Sequence, residues 1–300
     1  MTQFAECIKM LKNKYKNQCL ILFLLVFSLN VHSSNMVSIE VKPGITAEAE
    51  YHVGDSDNPV IVVLHGFLQT NDYLTLSNIK DAIVDNNFSM LAPGQSLGIN
   101  KRKTSLPCQT THNHTMQDSL DEIDQWMRWL KNKGHHKAIL IGHSFGSVNA
   151  VAYLENFVNS NTVPDITKFI GLSLIDTEFV PDRKRREQDR QRARERIKQG
   201  DNDVYTYRLS YCHLYRAPAS AFLSYADWTS ERILLALKNV TKRMDVVSIL
   251  GSKDKRVPNN WPDKQSKAGA QVKIVKGANH FFGGSQQIDL LDLLDEILSK

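Results

Sequence analysis

The chain has 300 residues, of which 42% are hydrophobic and 23% are charged, proportions ordinary for a globular protein and unlike those of disordered or low-complexity chains. This length suits one large α/β domain, alone or with an insertion. The formal net charge is +5, but residues 1–33 contribute +3 of it through four lysines and one glutamate. The remaining +2 gives no support to a nucleic-acid partner.

The first 33 residues have the pattern of a secretory signal peptide. Four lysines between Lys9 and Lys16 precede an apolar run at 19–27, and small residues follow it. Val31 and Ser33 suit a cleavage site before Ser34. The apolar run is well short of the roughly 20 residues that a membrane span needs. We therefore expect an exported protein, periplasmic or secreted, with an uncleaved N-terminal membrane anchor as the alternative.

The elements that follow alternate between strands and helices. Two short strands around Pro43-Gly44 predict an opening β-hairpin. The β-branched run in 58–67 indicates a strand covered on both faces, and a helix over 71–86 and a strand over 88–94 come next. After the loop 95–114, an apolar stripe predicts a helix that Thr115 caps, with Asp118 completing a capping box, and that Gly134 ends.

The second half continues the same pattern. Four more strands are predicted at 136–144, 168–177, 245–254 and 271–280, with a helix over 147–157 and an amphipathic closing helix over 285–300. Strands that alternate with helices define a doubly wound, mostly parallel α/β sheet. Its core is expected to comprise residues 34–176 and 245–300.

Residues 177–244 interrupt the alternation and are interpreted as a helical lid or cap insertion, because an insertion of this length usually covers a functional site. Residues 181–200 hold seven arginines and two lysines against four acidic residues. A solvated helix with internal ion pairs is the simpler interpretation. The alternative is that the basic 183–198 helix makes peripheral contact with an anionic surface.

The segment 142–146, Gly-His-Ser-Phe-Gly, has the form of a nucleophile elbow at the end of a strand. The chain must turn sharply there into a helix, which puts Ser144 in a strained conformation. Side chains at Gly142 and Gly146 would clash in so tight a turn. Ser144 is therefore the predicted nucleophile.

A serine nucleophile needs a base, and the base needs a carboxylate. His280 follows the last predicted strand and is the candidate base. Asp254 follows the strand before it and is the favoured acid, with Asp176 as the rival. The backbone N–H of Phe145 and that of Phe67, or of Leu68 in its place, are the predicted oxyanion donors.

Several other residues leave alternatives open. His65 is expected to brace the loop that carries Phe67. Phe281 and Phe282 line an acyl pocket or belong to the core, and His112 and His114 make only a weak case for a metal site. Outside the signal segment the chain has two cysteines, Cys108 and Cys212, which form a disulfide or remain free thiols.

The chain resembles α/β-hydrolase-fold serine hydrolases of the esterase, lipase and peptidase group over nearly all of residues 45–298. It lacks the HGGG loop of one esterase branch, and it has serine where epoxide hydrolases and dehalogenases have aspartate. The resemblance is carried by four motifs: 65–67, 142–146, 251–254 and 277–280.

That resemblance implies an α/β-hydrolase fold and a triad in the order Ser144, Asp254, His280. The expected activity is hydrolysis of an ester, thioester or amide through an acyl-enzyme, with a carboxylic ester of a small molecule or lipid favoured. No metal or organic cofactor is expected. The alternatives are acyl transfer, perhydrolysis or C–C bond hydrolysis by the same triad, and a non-catalytic binding module. The sequence leaves the oligomeric state open.

Overall fold

The computed structural model describes residues 34–157, 161–179 and 182–299. The predicted signal peptide lies outside these ranges, so its cleavage, and the anchor as the alternative, stay predictions. From Ser34 onward the chain forms one compact unit. Within the described ranges, none of the helices combines the length and the apolar character that crossing a membrane requires.

An eight-stranded sheet lies at the centre of the molecule, and a separate two-stranded pair lies in the insertion. The strands are β1 (Asn35–Lys42), β2 (Ile45–His52), β3 (Val60–Leu64), β4 (Met90–Gly94), β5 (Lys137–His143), β6 (Asp165–Leu172), β7 (Val204–Leu209), β8 (Cys212–Pro218), β9 (Asp245–Gly251) and β10 (Gln271–Val275). The order in the large sheet is β1-β2-β4-β3-β5-β6-β9-β10, and β7 pairs with β8. From β4 to β10 all neighbours pair in parallel, whereas β1 and β2 form an antiparallel hairpin at one edge.

Helices cover both faces of this sheet. The helices are α1 (Leu74–Asp85), α2 (Met116–Asn132), α3 (Phe145–Phe157), α4 (Arg183–Lys198), α5 (Ala219–Ala226), α6 (Ser230–Val240), α7 (Trp261–Lys267) and α8 (Gln286–Leu298). Apolar side chains of α1 and α8 pack in one core, and those of α2, α3 and α6 pack in the other. The doubly wound, mostly parallel α/β sheet is therefore confirmed, and the burial of every residue of β3 follows from its two covered faces.

The helix α2 shows how closely local sequence signals can define an element. The Thr115 side chain accepts a hydrogen bond from the Asp118 N–H, and the Asp118 carboxylate accepts one from Thr115 N–H, as the capping box predicts. Gly134 follows the helix with φ of +93°, a left-handed conformation that suits glycine. The predicted apolar stripe is buried along its whole length: Met116, Leu120, Ile123, Met127 and Leu130.

The prediction of an all-helical insertion is wrong, because β7 and β8 form an antiparallel hairpin between α4 and α5. Along β7 the side chains alternate, with Tyr207 and Leu209 buried and their neighbours more exposed, which is the two-residue period of a strand. Ser210 starts the turn with φ of +52°. The tyrosines and the threonine of β7 favour a strand. The charged sequence of α4, which precedes β7, obscured this signal.

The hairpin, residues 204–218, is fastened to the loop between β4 and α2. Cys108 in that loop and Cys212 at the start of β8 form a disulfide, which settles the pairing that the sequence left open. The His112 N–H also donates a hydrogen bond of 2.8 Å to the carbonyl of Arg216. The insertion is therefore joined to the core covalently and through the backbone.

Candidate active site

Ser144 lies between the end of β5 and the start of α3 and has φ of +58°. A Cβ atom on Gly146 would come within 2.5 Å of the carbonyl oxygens of Leu64 and His65. A Cβ atom on Gly142 would come within 2.6 Å of the Gly146 backbone. Both glycines are thus required by close backbone approach, as the sequence predicted, and the strained turn presents the Ser144 side chain at the carboxyl edge of the sheet.

Three side chains from distant parts of the sequence form a continuous hydrogen-bond chain at this edge. Nε2 of His280 lies 2.9 Å from Oγ of Ser144, and Nδ1 of His280 lies 2.8 Å from Oδ2 of Asp254. All three residues are buried. This is the arrangement in which an imidazole can take a proton from a serine hydroxyl while a carboxylate orients the ring.

The loops after β9 and β10 bring the acid and the base together. The Lys253 N–H donates a hydrogen bond of 2.8 Å to the carbonyl of Ala278. A Cβ atom on Gly251 would come within 2.4 Å of the same carbonyl oxygen, so only glycine allows the loops to lie this close. Asp254 follows Lys253 directly, and His280 lies two residues after Ala278.

The rival carboxylate, Asp176, has other partners. Its Oδ1 accepts hydrogen bonds from the Ser230 hydroxyl and, at 3.0 Å, from the N–H of Glu178. Asp254 instead accepts from the N–H of Arg256 at 2.8 Å on the oxygen that does not face His280. Of the two candidates that the sequence offered, the geometry favours Asp254 as the partner of the histidine.

The protonation states suit base catalysis. Burial raises the pKa of Asp254, but the hydrogen bond and charge of His280 and the N–H of Arg256 outweigh it, so the pKa lies below the usual value. Burial lowers the pKa of His280, and the Asp254 carboxylate offsets only part of this effect. At neutral pH, His280 is therefore an uncharged ring that can donate to Asp254 and accept from Ser144.

His143 is a contributor to this site that the sequence analysis missed. Its Nε2 donates a hydrogen bond of 3.0 Å to the backbone carbonyl of His280. Burial, together with the charge of His280, lowers the pKa of His143 to about 3, so it stays neutral. His143, the residue directly before Ser144, thus holds the backbone of the candidate base in place. No local sequence signal indicates this partner, which lies 137 residues away.

The loop after β3 lies directly against the candidate nucleophile. A Cβ atom on Gly66 would come within 3.5 Å of the Ser144 Cβ and within 2.6 Å of the Gln69 side chain. Phe67 and Phe145 pack with their ring centroids 5.2 Å apart. The backbone that carries the Phe67 N–H is therefore held close to Ser144.

His65 braces this loop. Its Nδ1 lies 2.9 Å from the Gly66 carbonyl, and its Nε2 accepts from the Gln95 N–H at 3.1 Å and faces the Arg102 guanidinium at 3.2 Å. The ring consequently donates from Nδ1 to Gly66. Because the Gly66–Phe67 peptide is trans, this bond directs the Phe67 N–H the opposite way.

The insertion also contacts this loop. The Tyr211 hydroxyl, in the turn of the hairpin, donates a hydrogen bond of 2.9 Å to the carbonyl of Phe67. A cavity of about 250 Å³ lies at this edge of the sheet, and its wall includes Ser144, Tyr211 and Cys212. The hairpin is thus both a wall of the cavity and a support of the loop, and no local sequence pattern predicts either role for Tyr211.

The remaining candidates have structural surroundings. His112 stacks on Tyr215, and His114 shares a hydrogen bond of 2.8 Å with the Tyr225 hydroxyl. Among the described residues, no group of three or more potential metal-ligating side chains occurs. Phe282 is fully buried in the core beside α8, whereas Phe281 packs against the ring of His280, with centroids 5.0 Å apart.

Most arginines of the basic helix α4 are paired with carboxylates, some on the helix and some on neighbouring segments. Six of its seven arginines lie within ion-pair distance of a carboxylate. One of these carboxylates, Asp189, is fully buried and pairs with both Arg192 and Arg208. Contact of this helix with an anionic surface stays a prediction.

Comparison with known proteins agrees with the fold. The model of the alpha/beta hydrolase family matches residues 61–291, well over half of the chain. The chain therefore belongs to the alpha/beta hydrolase family, as its motifs predicted. No curated protein is similar enough in sequence to count as a match.

Solved structures give the same result at the level of the fold. Est1E from Butyrivibrio proteoclasticus has a TM-score of 0.61 at 15% identity, covering 89% of this chain and 100% of its own. The alpha/beta hydrolase GrgF from Penicillium sp. sh18 has a TM-score of 0.63 at 15% identity with the same coverage. A thioesterase domain from the curacin biosynthetic pathway has 0.57 at 15% identity, again with 89% and 100% covered.

Proposed function

We propose that this protein is a serine hydrolase that cleaves an ester, thioester or amide bond through an acyl-enzyme, with a carboxylic ester as the favoured substrate. The observation that carries the proposal is the hydrogen-bond chain from Ser144 through His280 to Asp254 at the wall of a cavity. A buried serine that served only packing would need neither the strained turn nor a neutral histidine aimed at its hydroxyl.

In the first half of the reaction, Nε2 of His280 accepts the Ser144 proton as Oγ attacks the carbonyl carbon. The carbonyl π electrons move to its oxygen, which becomes an oxyanion. The N–H groups of Phe145, at the start of α3, and of Phe67 are proposed to bind this oxyanion, each worth about 3 kcal/mol in the transition state. Asp254 stabilises the imidazolium that forms.

The intermediate then collapses and expels the alcohol, thiol or amine, to which His280 gives its proton. Water enters, loses a proton to His280 and attacks the acyl carbon, and Ser144 leaves with that proton. Since each step needs only groups of the polypeptide and water, the proposed mechanism uses no cofactor. The thioester, which the sequence resemblance already implied, is also the substrate class in the name of one structurally similar protein, a thioesterase domain from the curacin biosynthetic pathway.

A fluorophosphonate probe tests the proposal directly. We expect intact-protein mass spectrometry to show one covalent adduct on the wild type and none on Ser144→Ala. Ser266→Ala, at an exposed serine of α7, is the matched control and should label like the wild type. Folded wild type that does not label, or equal labelling of Ser144→Ala, contradicts the proposal. A panel of p-nitrophenyl esters, acyl thioesters and aminoacyl amides then ranks the substrates.

We also propose that the protein works outside the cytoplasm, as its N-terminal pattern predicts. The disulfide between Cys108 and Cys212 supports this, since disulfides persist mainly in oxidising compartments. Cell fractionation combined with N-terminal sequencing of the mature protein tests it. A mature chain that begins at Ser34 supports cleavage, and an intact N-terminus in the membrane fraction supports the anchor.

A further inference from the structure

The cavity over Ser144 has more positive than negative charge on its wall. Six charged side chains line it, four cationic and two acidic: Arg186, Arg208, Lys255, Arg256, Asp176 and Asp182. A cavity that only had to receive a neutral acyl chain would not need this surplus. A charged side chain of this wall is available to bind a ligand only where it has no partner within the protein.

Arg186 is committed to the fold. Its guanidinium donates hydrogen bonds to the carbonyl of Thr177, at 2.8 Å, and to the carbonyl of Ser210. These contacts tie α4 to the strand-end loop and to the turn of the hairpin. Burial lowers the pKa of Arg186 to about 10, which still leaves it charged at neutral pH. Its donors therefore stabilise the insertion.

Arg208 and the two carboxylates also have partners. Arg208 lies 3.8 Å from Asp182 and 3.5 Å from the buried Asp189. Asp176 accepts hydrogen bonds from the Ser230 hydroxyl and from the N–H of Glu178. The acidic residues of the wall are thus occupied by contacts within the protein.

Lys255 and Arg256 are different, and they follow Asp254 directly. Within the described ranges, neither side chain takes part in an ion pair. The half-buried Arg256 guanidinium lies 5.0 Å from the ring centroid of Phe281 and 5.7 Å from that of Tyr211. Two aromatic faces therefore hold the cation in place while leaving its N–H donors open.

The charge of Arg256 also reaches the catalytic base. Burial is the main reason that the pKa of His280 is low, and the positive charge of Arg256 lowers it further. Ser144 and Arg256 also line the same cavity, so one substrate can reach both residues. The cation is thus near the reacting bond.

We propose that the substrate carries a compact anionic group, a carboxylate or a phosphate, which Arg256 binds with support from Lys255 while the scissile carbonyl lies at Ser144. This inference rests on the proposed function of Ser144 and deepens it. A planar guanidinium matches two oxygens of a carboxylate or phosphate at once, and the lysine adds a second positive charge. The pairing is strengthened because Arg256 is partly shielded from water.

Binding to Ser144→Ala tests the proposal without requiring turnover. The probes are p-nitrophenyl hydrogen succinate and its neutral methyl ester, compared by calorimetry at low ionic strength. We expect the anionic ester to bind about tenfold tighter or better, a gain typical of charge-assisted hydrogen bonds. The gain should shrink as salt is added. Equal affinities of the charged and neutral esters, in this pair and in the two leaving-group pairs described below, overturn the proposal.

The ratio of kcat/KM for the charged and neutral esters provides the second readout. Arg256→Gln should remove most of the preference for the charged ester, and Lys255→Gln should remove part of it. Lys253→Gln is the matched control and should keep the ratio. Lys253 is exposed, lies two residues before Lys255 and does not line the cavity. A ratio unchanged by Arg256→Gln overturns the assignment of that residue.

Two further ester pairs identify the anion and its side of the scissile bond. One pair is 4-butyryloxybenzoate with its methyl ester, and the other is 4-butyryloxyphenyl phosphate with its dimethyl ester. A preference confined to the succinate pair assigns a carboxylate on the acyl side, and the other pairs assign a carboxylate or phosphate on the leaving group.

Wild type that labels with fluorophosphonate but shows no preference in any pair overturns this inference alone. Absent labelling with a retained binding preference overturns the proposed function alone.

Discussion

The Tyr211 hydroxyl donates a hydrogen bond of 2.9 Å to the carbonyl of Phe67, so the turn of the insertion hairpin supports the loop that faces the candidate nucleophile. The two residues are 144 positions apart in the sequence. His65 holds the same loop from the other side through the carbonyl of Gly66. The carbonyls on either side of the Phe67 N–H, those of Gly66 and Phe67, thus both accept hydrogen bonds from side chains.

Replacing Tyr211 by Phe removes the hydroxyl and keeps the ring. We expect kcat for a neutral p-nitrophenyl ester to fall about two- to tenfold, because one hydrogen bond of about 1 kcal/mol no longer positions the proposed oxyanion donor. Tyr205→Phe is the matched control, since that hydroxyl bonds to Asp201, away from the site. Equal effects of the two substitutions would assign Tyr211 a role in stability alone.

The assignment of the acid can be tested by comparing two isosteric substitutions. Asp254→Asn removes the carboxylate that orients His280 and should lower kcat about 10⁴-fold. Asp176→Asn alters a residue that contacts Ser230 and Glu178, and should lower kcat by less than about tenfold. Steady-state kinetics on one ester, with circular dichroism to verify folding, decides between them, and the reverse order of effects would exchange the two roles.

The pH dependence of kcat/KM should report the titration of His280. The base must be neutral to accept the Ser144 proton, so activity rises with pH through the pKa of His280. Since burial lowers that pKa from 6.5, the midpoint should lie below pH 6.5. Arg256→Gln removes a charge that lowers this pKa and should move the midpoint upward. A rate profile measured from about pH 4 to pH 8, with a midpoint above 6.5, would contradict the assignment.

The tight turn around Ser144 should not tolerate a side chain at Gly146. An alanine there would place its Cβ within 2.5 Å of two backbone oxygens, which cannot move without displacing β3. We expect Gly146→Ala to lower the free energy of unfolding by about 3 kcal/mol or more and to abolish fluorophosphonate labelling. Gly44→Asn is the control, because Gly44 has open space around it and φ of +77°, which asparagine tolerates. Urea denaturation of both variants provides the measurement.

The disulfide should contribute to stability and to the geometry of the cavity. It joins residues separated by 104 positions, and closing a loop of about that length stabilises a fold by about 4 to 5 kcal/mol in the chain-entropy model. Cys108→Ser should therefore lower the melting temperature markedly. A melting curve of the wild type under reducing conditions should approach that of the variant, and identical curves with and without reductant would contradict this contribution.

The sequence was informative wherever a function needs a local pattern. Ser144 is marked by two glycines that the turn requires, and Asp254 and His280 follow strands whose apolar runs are easily recognised. The hairpin was missed because its alternation follows a strongly charged helix, and α7 was missed because seven residues leave little periodicity. Tyr211 and His143 act through backbone carbonyls on other elements. Contacts of that kind are set by tertiary packing, and the residue types alone do not predict them.

The attachment of the hairpin has a consequence for how this scaffold can diversify. Its turn contributes to the wall that a substrate meets, while the neighbouring disulfide and the Tyr211 hydroxyl connect the same turn to the core. In the proposed hydrolase, substrate selectivity and catalytic rate are therefore expected to depend on the same hairpin. We expect a graft that exchanges residues 204–218 for another hairpin to change substrate selectivity and catalytic rate together, whereas a change at Lys255 leaves the contacts of the hairpin with the core intact.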